Sequence, residues 1–256
     1  MPDSPANAAS PPEPRGSASR VLSLLDLTSL GDDDTPEAIH ALCASARLPE
    51  RFPAAICVYP EHVTTAREAM RGASVKIATV VNFPDGGDDP LRIARETRRA
   101  IAAGADEIDM VLPYRSLLAG DVLVAKTCVE ACRQACGDTI ALKLILETGE
   151  LRDAQIIRAA CRIGLDAGVD FLKTSTGKVA VNATPEAAAV MLDCIAASGG
   201  ACGFKAAGGI RTIADALRYM TLAEDRLGAA WVAPERFRIG ASALFAEVSA
   251  MLEATP

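Results

Sequence analysis

Two lysines lie at the ends of short apolar runs. Lys173 lies in the segment Phe-Leu-Lys-Thr-Ser-Thr-Gly-Lys, and Lys205 lies in Gly-Phe-Lys-Ala-Ala-Gly-Gly. A buried lysine is costly unless it is paired, so either one alone could simply extend its ammonium group to solvent. Two together favour a reactive amine, because neutral lysine attacks a carbonyl and the resulting iminium accepts electrons when a carbon–carbon bond breaks. The charge of Lys205 would lower the pKa of Lys173 and favour that neutral form.

Carboxylates in other predicted strands could partner these amines. Strand alternation puts Ile108 and Met110 on one face and Asp109 on the other, which is expected to face the barrel interior. Asp109 would then relay protons, or it would serve only as an ion-pair partner. Lys143 is in mid-strand and should lie deeper than the mouth, in a supporting charge network with Asp26 and Asp109.

Three small-residue turns late in the chain could bind an anion. They are Ser175–Lys178, Ala207–Gly209 and Gly240–Ser242. Their backbone N–H groups can converge on an anion, although tight turns use the same residues for conformational reasons alone. Many α/β barrels bind phosphate with the loops after strands 7 and 8, so the order of these turns favours a phosphorylated substrate.

Eight short aliphatic or β-branched runs recur along the chain, with helical patterns between them. The predicted strands are Val21–Asp26, Ala54–Tyr59, Lys76–Phe83, Glu107–Leu112, Ile140–Glu147, Asp170–Thr174, Cys202–Lys205 and Phe237–Gly240. This alternation predicts an α/β fold with a parallel sheet, and eight units favour a single (β/α)₈ TIM barrel over an open doubly wound sheet. No Gly-x-Gly-x-x-Gly segment follows the first strand, which counts further against a dinucleotide-binding fold.

Length and composition fit one such barrel. The chain has 256 residues, 50% hydrophobic and only 4% aromatic, so the core should be built mainly from Ala, Val, Ile and Leu. A net charge of −7 argues against nucleic acid, and no apolar run predicts a membrane span. Residues 1–20, rich in Pro, Ala and Ser, are predicted to be a flexible, disordered tail, and residues 21–256 the barrel domain.

Cysteine and histidine positions predict neither disulfides nor a metal site. The eight cysteines lack a secretory context and paired short spacings, so the cytoplasm is the default compartment. Cys128, Cys132 and Cys136 recur at every fourth position, which favours packing on one helix face over metal binding. His40 and His62 lack the second-ligand spacing of a zinc site.

Seven ordered motifs resemble those of the deoxyribose-phosphate aldolase family, from about Leu25 to Leu244. The motifs are Leu25–Thr28, Ala55–Pro60, Asn82–Pro84, Gly104–Asp109, Glu147–Leu151, Phe171–Lys178 and Gly208–Arg211. The resemblance implies reversible cleavage of 2-deoxy-D-ribose 5-phosphate to acetaldehyde and D-glyceraldehyde 3-phosphate, a step of deoxyribose phosphate catabolism. It also implies that no metal or organic cofactor takes part.

Residue roles follow from the same resemblance. Lys173 matches the family's Schiff-base lysine, Lys205 the second lysine that perturbs it, and Asp109 the aspartate of the proton relay. Substrate contacts are implied for Asp26, Thr28, Cys57 and Lys143, and phosphate contacts for Gly177, Lys178, Gly208, Gly209, Gly240 and Ser242. Ala206 and Ala243 depart from the family pattern, which commonly has proline and serine there, so one hydroxyl for phosphate is missing.

Other functions share parts of this pattern. Another class I Schiff-base aldolase, such as a transaldolase-like enzyme, would also use a strand-end lysine and phosphate turns. A non-catalytic phosphosugar-binding barrel would keep the fold, but it would be expected to lack Lys173, Lys205 or Asp109. Barrel enzymes of this kind are often homo-oligomers, and a homodimer is expected here.

Overall fold

Hydrogen bonds between successive strands, and between the last strand and the first, close eight parallel strands into a barrel. The computed structural model describes residues 14–49 and 51–254. The strands are β1 (Leu25–Thr28), β2 (Ala55–Val58), β3 (Lys76–Val81), β4 (Glu107–Val111), β5 (Ala141–Ile145), β6 (Phe171–Lys173), β7 (Gly203–Ala207) and β8 (Phe237–Ala241). Each predicted run overlaps one strand, and the predicted single (β/α)₈ barrel is confirmed.

Helices lie before, between and after the strands. They are α1 (Pro14–Ser23), α2 (Pro36–Ser45), α3 (Val63–Ala69), α4 (Pro90–Ala102), α5 (Tyr114–Leu118), α6 (Val122–Cys136), α7 (Thr148–Leu151), α8 (Ala154–Asp166), α9 (Pro185–Ala197), α10 (Ile213–Leu227) and α11 (Leu244–Glu253). Side-chain caps fix where two of these helices begin: Thr35 caps α2, and Thr212 and Asp215 form a reciprocal capping box on α10. In the described parts of the chain, no helix is long and apolar enough to cross a bilayer.

The large apolar core lies between the sheet and the helices. Alternate strand residues such as Ile108, Met110 and Phe204 point outward into it. A small separate apolar cluster on β2 and β3 consists of Ala55, Cys57, Ala78 and Val80. Much of the remaining interior holds seven charged side chains that contact one another across the barrel. The core between sheet and helices is mainly aliphatic, as predicted. Each buried charge inside the barrel has an oppositely charged partner, which offsets part of the cost of burial.

The N-terminal boundary also differs from the prediction. Residues 14–23, assigned partly to the tail and partly to the first strand, form α1, and β1 begins only at Leu25. Ala18, Val21 and Leu22 are buried, because α1 packs against α10 and α11. An apolar helix face outweighs the Pro, Ala and Ser content that suggested a tail. Residues 1–13 of that predicted tail lie outside the described residues.

The regularly spaced cysteines pack inside the fold. Cys128, Cys132 and Cys136 are buried on α6, and Cys132 Sγ lies 3.4 Å from the Thr97 hydroxyl on α4. The helix-packing interpretation is confirmed. All eight cysteines carry free thiols, and within residues 14–49 and 51–254 no group of three or more His, Cys, Asp or Glu side chains could hold a metal ion.

Candidate active site

Strand register brings the predicted lysines and aspartates together inside the barrel. Asp109 on β4 is the register partner of Lys143 on β5, and Lys173 on β6 is the register partner of Lys205 on β7. The expected juxtaposition of Lys173 and Lys205 is confirmed. Lys205 lies in the middle of β7 rather than after it, so its side chain is fully buried and deeper than predicted.

Asp109 is the centre of this cluster. Its carboxylate accepts hydrogen bonds from Lys143 Nζ at 2.8 Å, Lys173 Nζ at 2.7 Å and Lys205 Nζ at 2.8 Å. Charge-assisted hydrogen bonds of this length are strong and directional. One carboxylate therefore fixes the positions of three amines.

A second layer of charges lies behind these contacts. Asp26 accepts hydrogen bonds from Lys205 Nζ at 2.6 Å and Arg238 Nη1 at 2.7 Å, and its carboxylate lies 3.7 Å from Lys143 Nζ. Glu107 pairs with Lys143 at 2.6 Å and with Arg238 at 2.9 Å. The supporting network predicted around Lys143 is present, with two members that were not predicted.

Alternation along the strands could have identified those two members, Glu107 and Arg238, as inward-facing. Glu107 lies two residues before Asp109 on β4, and Arg238 lies two residues before Gly240 on β8. Residues two apart in a strand share a face, so the alternation that turns Asp109 inward turns Glu107 inward as well. Their pairing was not predictable from spacing, because they are 131 residues apart.

Lys173 loses a proton more readily than Lys205. Burial lowers the pKa of Lys173, the Lys205 charge lowers it further, and Asp109 opposes both effects. Burial is thus a larger cause than the Lys205 charge that the sequence suggested. Burial alone would also lower the pKa of Lys205, but the carboxylates of Asp109 and Asp26 outweigh it and raise that pKa.

The two aspartates stay ionised. Burial alone would raise the pKa of Asp109, but Lys143, Lys173 and Lys205 outweigh it and hold the pKa well below its ordinary value. For Asp26, Lys205 and the Arg238 guanidinium likewise overcome burial and lower the pKa. Both side chains therefore act as hydrogen-bond acceptors in the resting site.

A cavity of about 440 Å³ opens above Lys173 at the C-terminal end of the barrel. The predicted site residues Thr28, Lys173, Gly177, Lys178, Gly208, Gly209, Gly240 and Ser242 line it. Asp26, Cys57 and Lys143 are fully buried and are not among its lining residues. Asp26 and Lys143 contact the charge network instead, and Cys57 packs in the apolar cluster on β2 and β3.

One wall of the cavity suits an anion. α11 begins at Leu244 without a side-chain cap. Phe245 N and Ala246 N donate to Ser242 O and Ala243 O, so the Leu244 N–H is the helix donor that can bind a ligand beside Ser242. Gly208 has a φ of +85° and comes so close to Asn182 that a Cβ would lie 2.7 Å from that side chain. At Gly240 a Cβ would lie 2.9 Å from Lys205 Cε. Glycine at these two positions lets the wall approach both ligand and lysine.

A hydrogen-bonded clamp holds the loop after β6. Glu147 accepts hydrogen bonds from Thr176 N at 3.2 Å and Thr176 Oγ1 at 2.5 Å, and Thr176 Oγ1 accepts one from Lys178 N at 3.0 Å. Lys178 Nζ in turn lies 3.3 Å from Asp32. The role of Glu147 and Thr176 in shaping this loop was not predicted from the sequence.

The sequence matches the family model described as DeoC/LacD family aldolase over residues 20–246. The matched residues include all eight strands and every member of the charged cluster. The chain belongs to the DeoC/LacD aldolase family. It is therefore an aldolase, a lyase that makes or breaks a carbon–carbon bond, and Lys173 lies at the end of the barrel where members of this fold place their reacting groups.

Several solved structures are similar in fold to this aldolase. A provisionally assigned deoxyribose-phosphate aldolase from Coccidioides immitis is 31% identical, with 91% of this chain and 87% of that chain covered and a TM-score of 0.79. A similarly assigned protein from Toxoplasma gondii ME49 is 25% identical, with 94% and 98% covered and a TM-score of 0.86. The deoxyribose phosphate aldolase of Aeropyrum pernix, described as tetrameric, is 23% identical, with 93% and 97% covered and a TM-score of 0.72, which shows the shared fold.

Proposed function

We propose that this aldolase reversibly cleaves 2-deoxy-D-ribose 5-phosphate to acetaldehyde and D-glyceraldehyde 3-phosphate through a Schiff base on Lys173. The position of Lys173 carries the proposal: the residue lines the cavity, and its amine lies 2.7 Å from Asp109 and has a pKa lowered by burial. The motif resemblance and the provisional assignment of the Coccidioides immitis structure support the choice of substrate.

The chemistry balances without an oxidant, a reductant or a cofactor. The neutral amine of Lys173 adds to the aldehyde carbon of the open-chain sugar, and loss of water gives an iminium. Removal of the proton from the C3 hydroxyl makes C3 an aldehyde as the C2–C3 bond breaks, and the electron pair of that bond forms an enamine on Lys173. Protonation at C2 and hydrolysis then release acetaldehyde and regenerate the amine.

Lys205 and Asp109 are the proposed proton carriers. Lys205 holds its proton in the resting site because Asp109 and Asp26 raise its pKa. As positive charge develops on Lys173, like-charge repulsion makes Lys205 a stronger acid, at the moment when the departing hydroxyl needs a proton. Asp109 contacts both amines, at 2.7 and 2.8 Å, and so links the two proton positions.

The phosphate is proposed to bind between the loops after β6, β7 and β8. The proposed contacts are Gly177, Lys178, Gly208, Gly209, Gly240 and Ser242, all of which line the cavity. The uncapped start of α11 adds a backbone donor, and Arg211, which was not predicted as a phosphate contact, adds a cation. Ala243 has no hydroxyl, so main-chain donors provide much of the binding on that side.

Borohydride trapping tests the proposal directly. The protein is incubated with acetaldehyde or deoxyribose 5-phosphate, reduced, digested and searched for modified lysines by mass spectrometry. We expect an adduct on Lys173 that is absent from Lys173→Met and present in the matched surface variant Lys126→Met. An adduct on Lys143 or Lys205 would overturn the assignment of the nucleophile, and no adduct would overturn the Schiff base. Release of a three-carbon ketone fragment without acetaldehyde would contradict the proposed substrate.

We propose that the enzyme is a homo-oligomer, with a dimer expected. The aldolase of Aeropyrum pernix is described as tetrameric, and α4 and α6 here expose the large apolar side chains Leu91 and Leu123, at 71% and 72%. Light scattering during size-exclusion chromatography should give about twice the protomer mass of 26.6 kDa. A mass of one protomer across micromolar concentrations would contradict the proposal.

The proposed compartment is the cytoplasm. All eight cysteines are free thiols, which a reducing compartment preserves. Cell fractionation followed by immunoblotting is expected to find the protein with cytoplasmic markers. Recovery with an oxidising compartment would contradict this assignment.

A further inference from the structure

Arg238 and Glu107 form a buried ion pair that the proposed reaction does not use. Arg238 on β8 donates from Nη2 to Glu107 Oε1 on β4 at 2.9 Å and from Nη1 to Asp26 Oδ1 at 2.7 Å. Only 5% of Arg238 and 3% of Glu107 are exposed, and neither lines the cavity. Placing two charges in a barrel interior costs desolvation free energy, so the pair calls for an explanation beyond stability.

The charges in the cluster do not match in number. Among the described residues, four basic side chains meet three carboxylates there. The basic members are Lys143, Lys173, Lys205 and Arg238, and the acidic members are Asp26, Glu107 and Asp109. If all four basic groups were protonated, one positive charge would remain unmatched among side chains that are at most 5% exposed. Burial penalises that excess, so the cluster favours the loss of one proton.

The contacts indicate which group loses it. Within 4.0 Å, Lys143 contacts the carboxylates of three residues and Lys205 those of two, whereas Lys173 contacts Asp109 alone. Arg238 stays protonated because guanidinium does not lose its proton in proteins. The amine with the fewest carboxylate partners is therefore the one that becomes neutral.

We infer that Arg238 is a positioning residue that keeps Lys173 deprotonated by supplying the third permanent positive charge opposite the three buried carboxylates. The inference rests on the proposed function, in which Lys173 must attack as a neutral amine. Arg238 acts through Glu107 and Asp26 and does not touch substrate.

Other titratable groups near Lys173 leave this balance intact. Burial raises the pKa of the Cys57 thiol on β2, which keeps it uncharged. Burial also raises the pKa of Glu147 at the end of β5, and that carboxyl group is bound to Thr176 rather than to Lys173. Lys178 on the following loop pairs with Asp32.

Charge-changing variants predict opposite shifts. Arg238→Gln keeps a hydrogen-bond donor but removes one positive charge, so protonated Lys173 would complete the balance and its pKa rises. Glu107→Gln removes one negative charge, so the pKa of Lys173 falls. The double variant removes a matched pair and should restore the wild-type balance, and Arg238→Lys should retain it. A shift of about one pH unit in each single variant is expected from the loss of one nearby charge in a buried site.

The measurement follows the protonation of Lys173 without requiring turnover. Each protein is labelled with trace acetic anhydride across a pH series, and acetylation of Lys173 is quantified by mass spectrometry, with circular dichroism to verify folding. The inference is supported if the midpoint of Lys173 acetylation lies at higher pH in Arg238→Gln, at lower pH in Glu107→Gln and at the wild-type pH in the double variant. Two single-variant midpoints that stay unchanged or move in the same direction would overturn it. Failure of borohydride trapping in the wild-type protein would instead refute the proposed function and leave these midpoints interpretable.

Discussion

Lys173 and Lys205 carry the same functional group on adjacent strands, yet Lys205 stabilises the fold and Lys173 destabilises it, because their environments differ. The pKa of Lys205 is raised above the lysine value of 10.5, so its stabilising contribution is fully present below that pH and is lost only as pH rises through the folded-state pKa. The pKa of Lys173 is lowered, so below pH 10.5 burying it costs folding free energy. The reactive residue is thus held at the expense of stability.

Replacing each lysine with methionine should expose this difference. At pH 7, Lys205→Met is expected to lower the free energy of unfolding by about 3–5 kcal/mol, because Asp26 and Asp109 each lose a buried partner. Lys173→Met should leave stability equal to or above that of the wild type, since Asp109 keeps Lys143 and Lys205. Urea denaturation followed by circular dichroism measures both. Equal destabilisation by the two substitutions would contradict the assigned environments.

The sequence identifies Lys173, Lys205 and Asp109 as a group, because covalent geometry makes successive side chains in a strand point to alternate faces. It could not rank their protonation, because that depends on burial and on contacts across the barrel. Arg238 shows the limit: its inward direction follows from alternation, but its partners Asp26 and Glu107 are 212 and 131 residues away in the chain.

At the scale of elements, the loop after β6 depends on Glu147 for its shape. Thr176→Val keeps a β-branched side chain but removes the hydroxyl that bonds to Glu147 at 2.5 Å. Glu147 keeps the Thr176 backbone N–H at 3.2 Å but loses its hydroxyl donor, which should cost about 1–3 kcal/mol of stability. The displaced loop should also raise KM for the phosphorylated substrate several-fold, while trapping of acetaldehyde on Lys173 changes little.

A matched control separates the clamp from the loss of any hydroxyl. Thr127 on α6 donates its hydroxyl to Leu123 O at an exposed position. Thr127→Val should leave both KM and stability near the wild-type values. If the Thr176 and Thr127 variants gave the same KM for deoxyribose 5-phosphate, the loop would not depend on the clamp.

The helix α1 is part of the folded barrel. Leu22 is 1% exposed, so Leu22→Ala should lower the free energy of unfolding by about 2–4 kcal/mol through the cavity that it leaves in the core. Leu118→Ala, at a side chain 44% exposed, is the control and should have a small effect. Chemical denaturation of both variants measures the difference, and a small loss in Leu22→Ala would mean that α1 is dispensable. Composition predicted a tail as far as residue 20, because Pro, Ala and Ser outweigh the apolar face of this short helix, and Leu22 was assigned to the first strand.

For the whole molecule, the charge network connects six of the eight strands. Its members lie on β1, β4, β5, β6, β7 and β8, whereas β2 and β3 contribute the small apolar cluster. Strand number and order could be predicted from the repeated strand–helix pattern, since each unit is local in sequence. The polar interior could be predicted only in part: alternation along β4 predicts that Asp109 faces inward, whereas composition reports an average and cannot identify partners on distant strands.

This network should make unfolding of the whole barrel sensitive to acid. The pKa values of Asp26 and Asp109 are lowered from 3.8, so their stabilising contribution is present above that pH and is lost as pH falls through the folded-state values. We expect Tm to fall steeply below about pH 4, near the unfolded-state pKa of aspartate. Asp109→Asn should be less stable at pH 7 and should show a shallower fall, because one titrating carboxylate is gone. The exposed Asp193→Asn variant should keep the wild-type slope. If Tm fell with pH at the same slope in Asp109→Asn and in the wild-type protein, other carboxylates would be responsible for acid unfolding of the barrel.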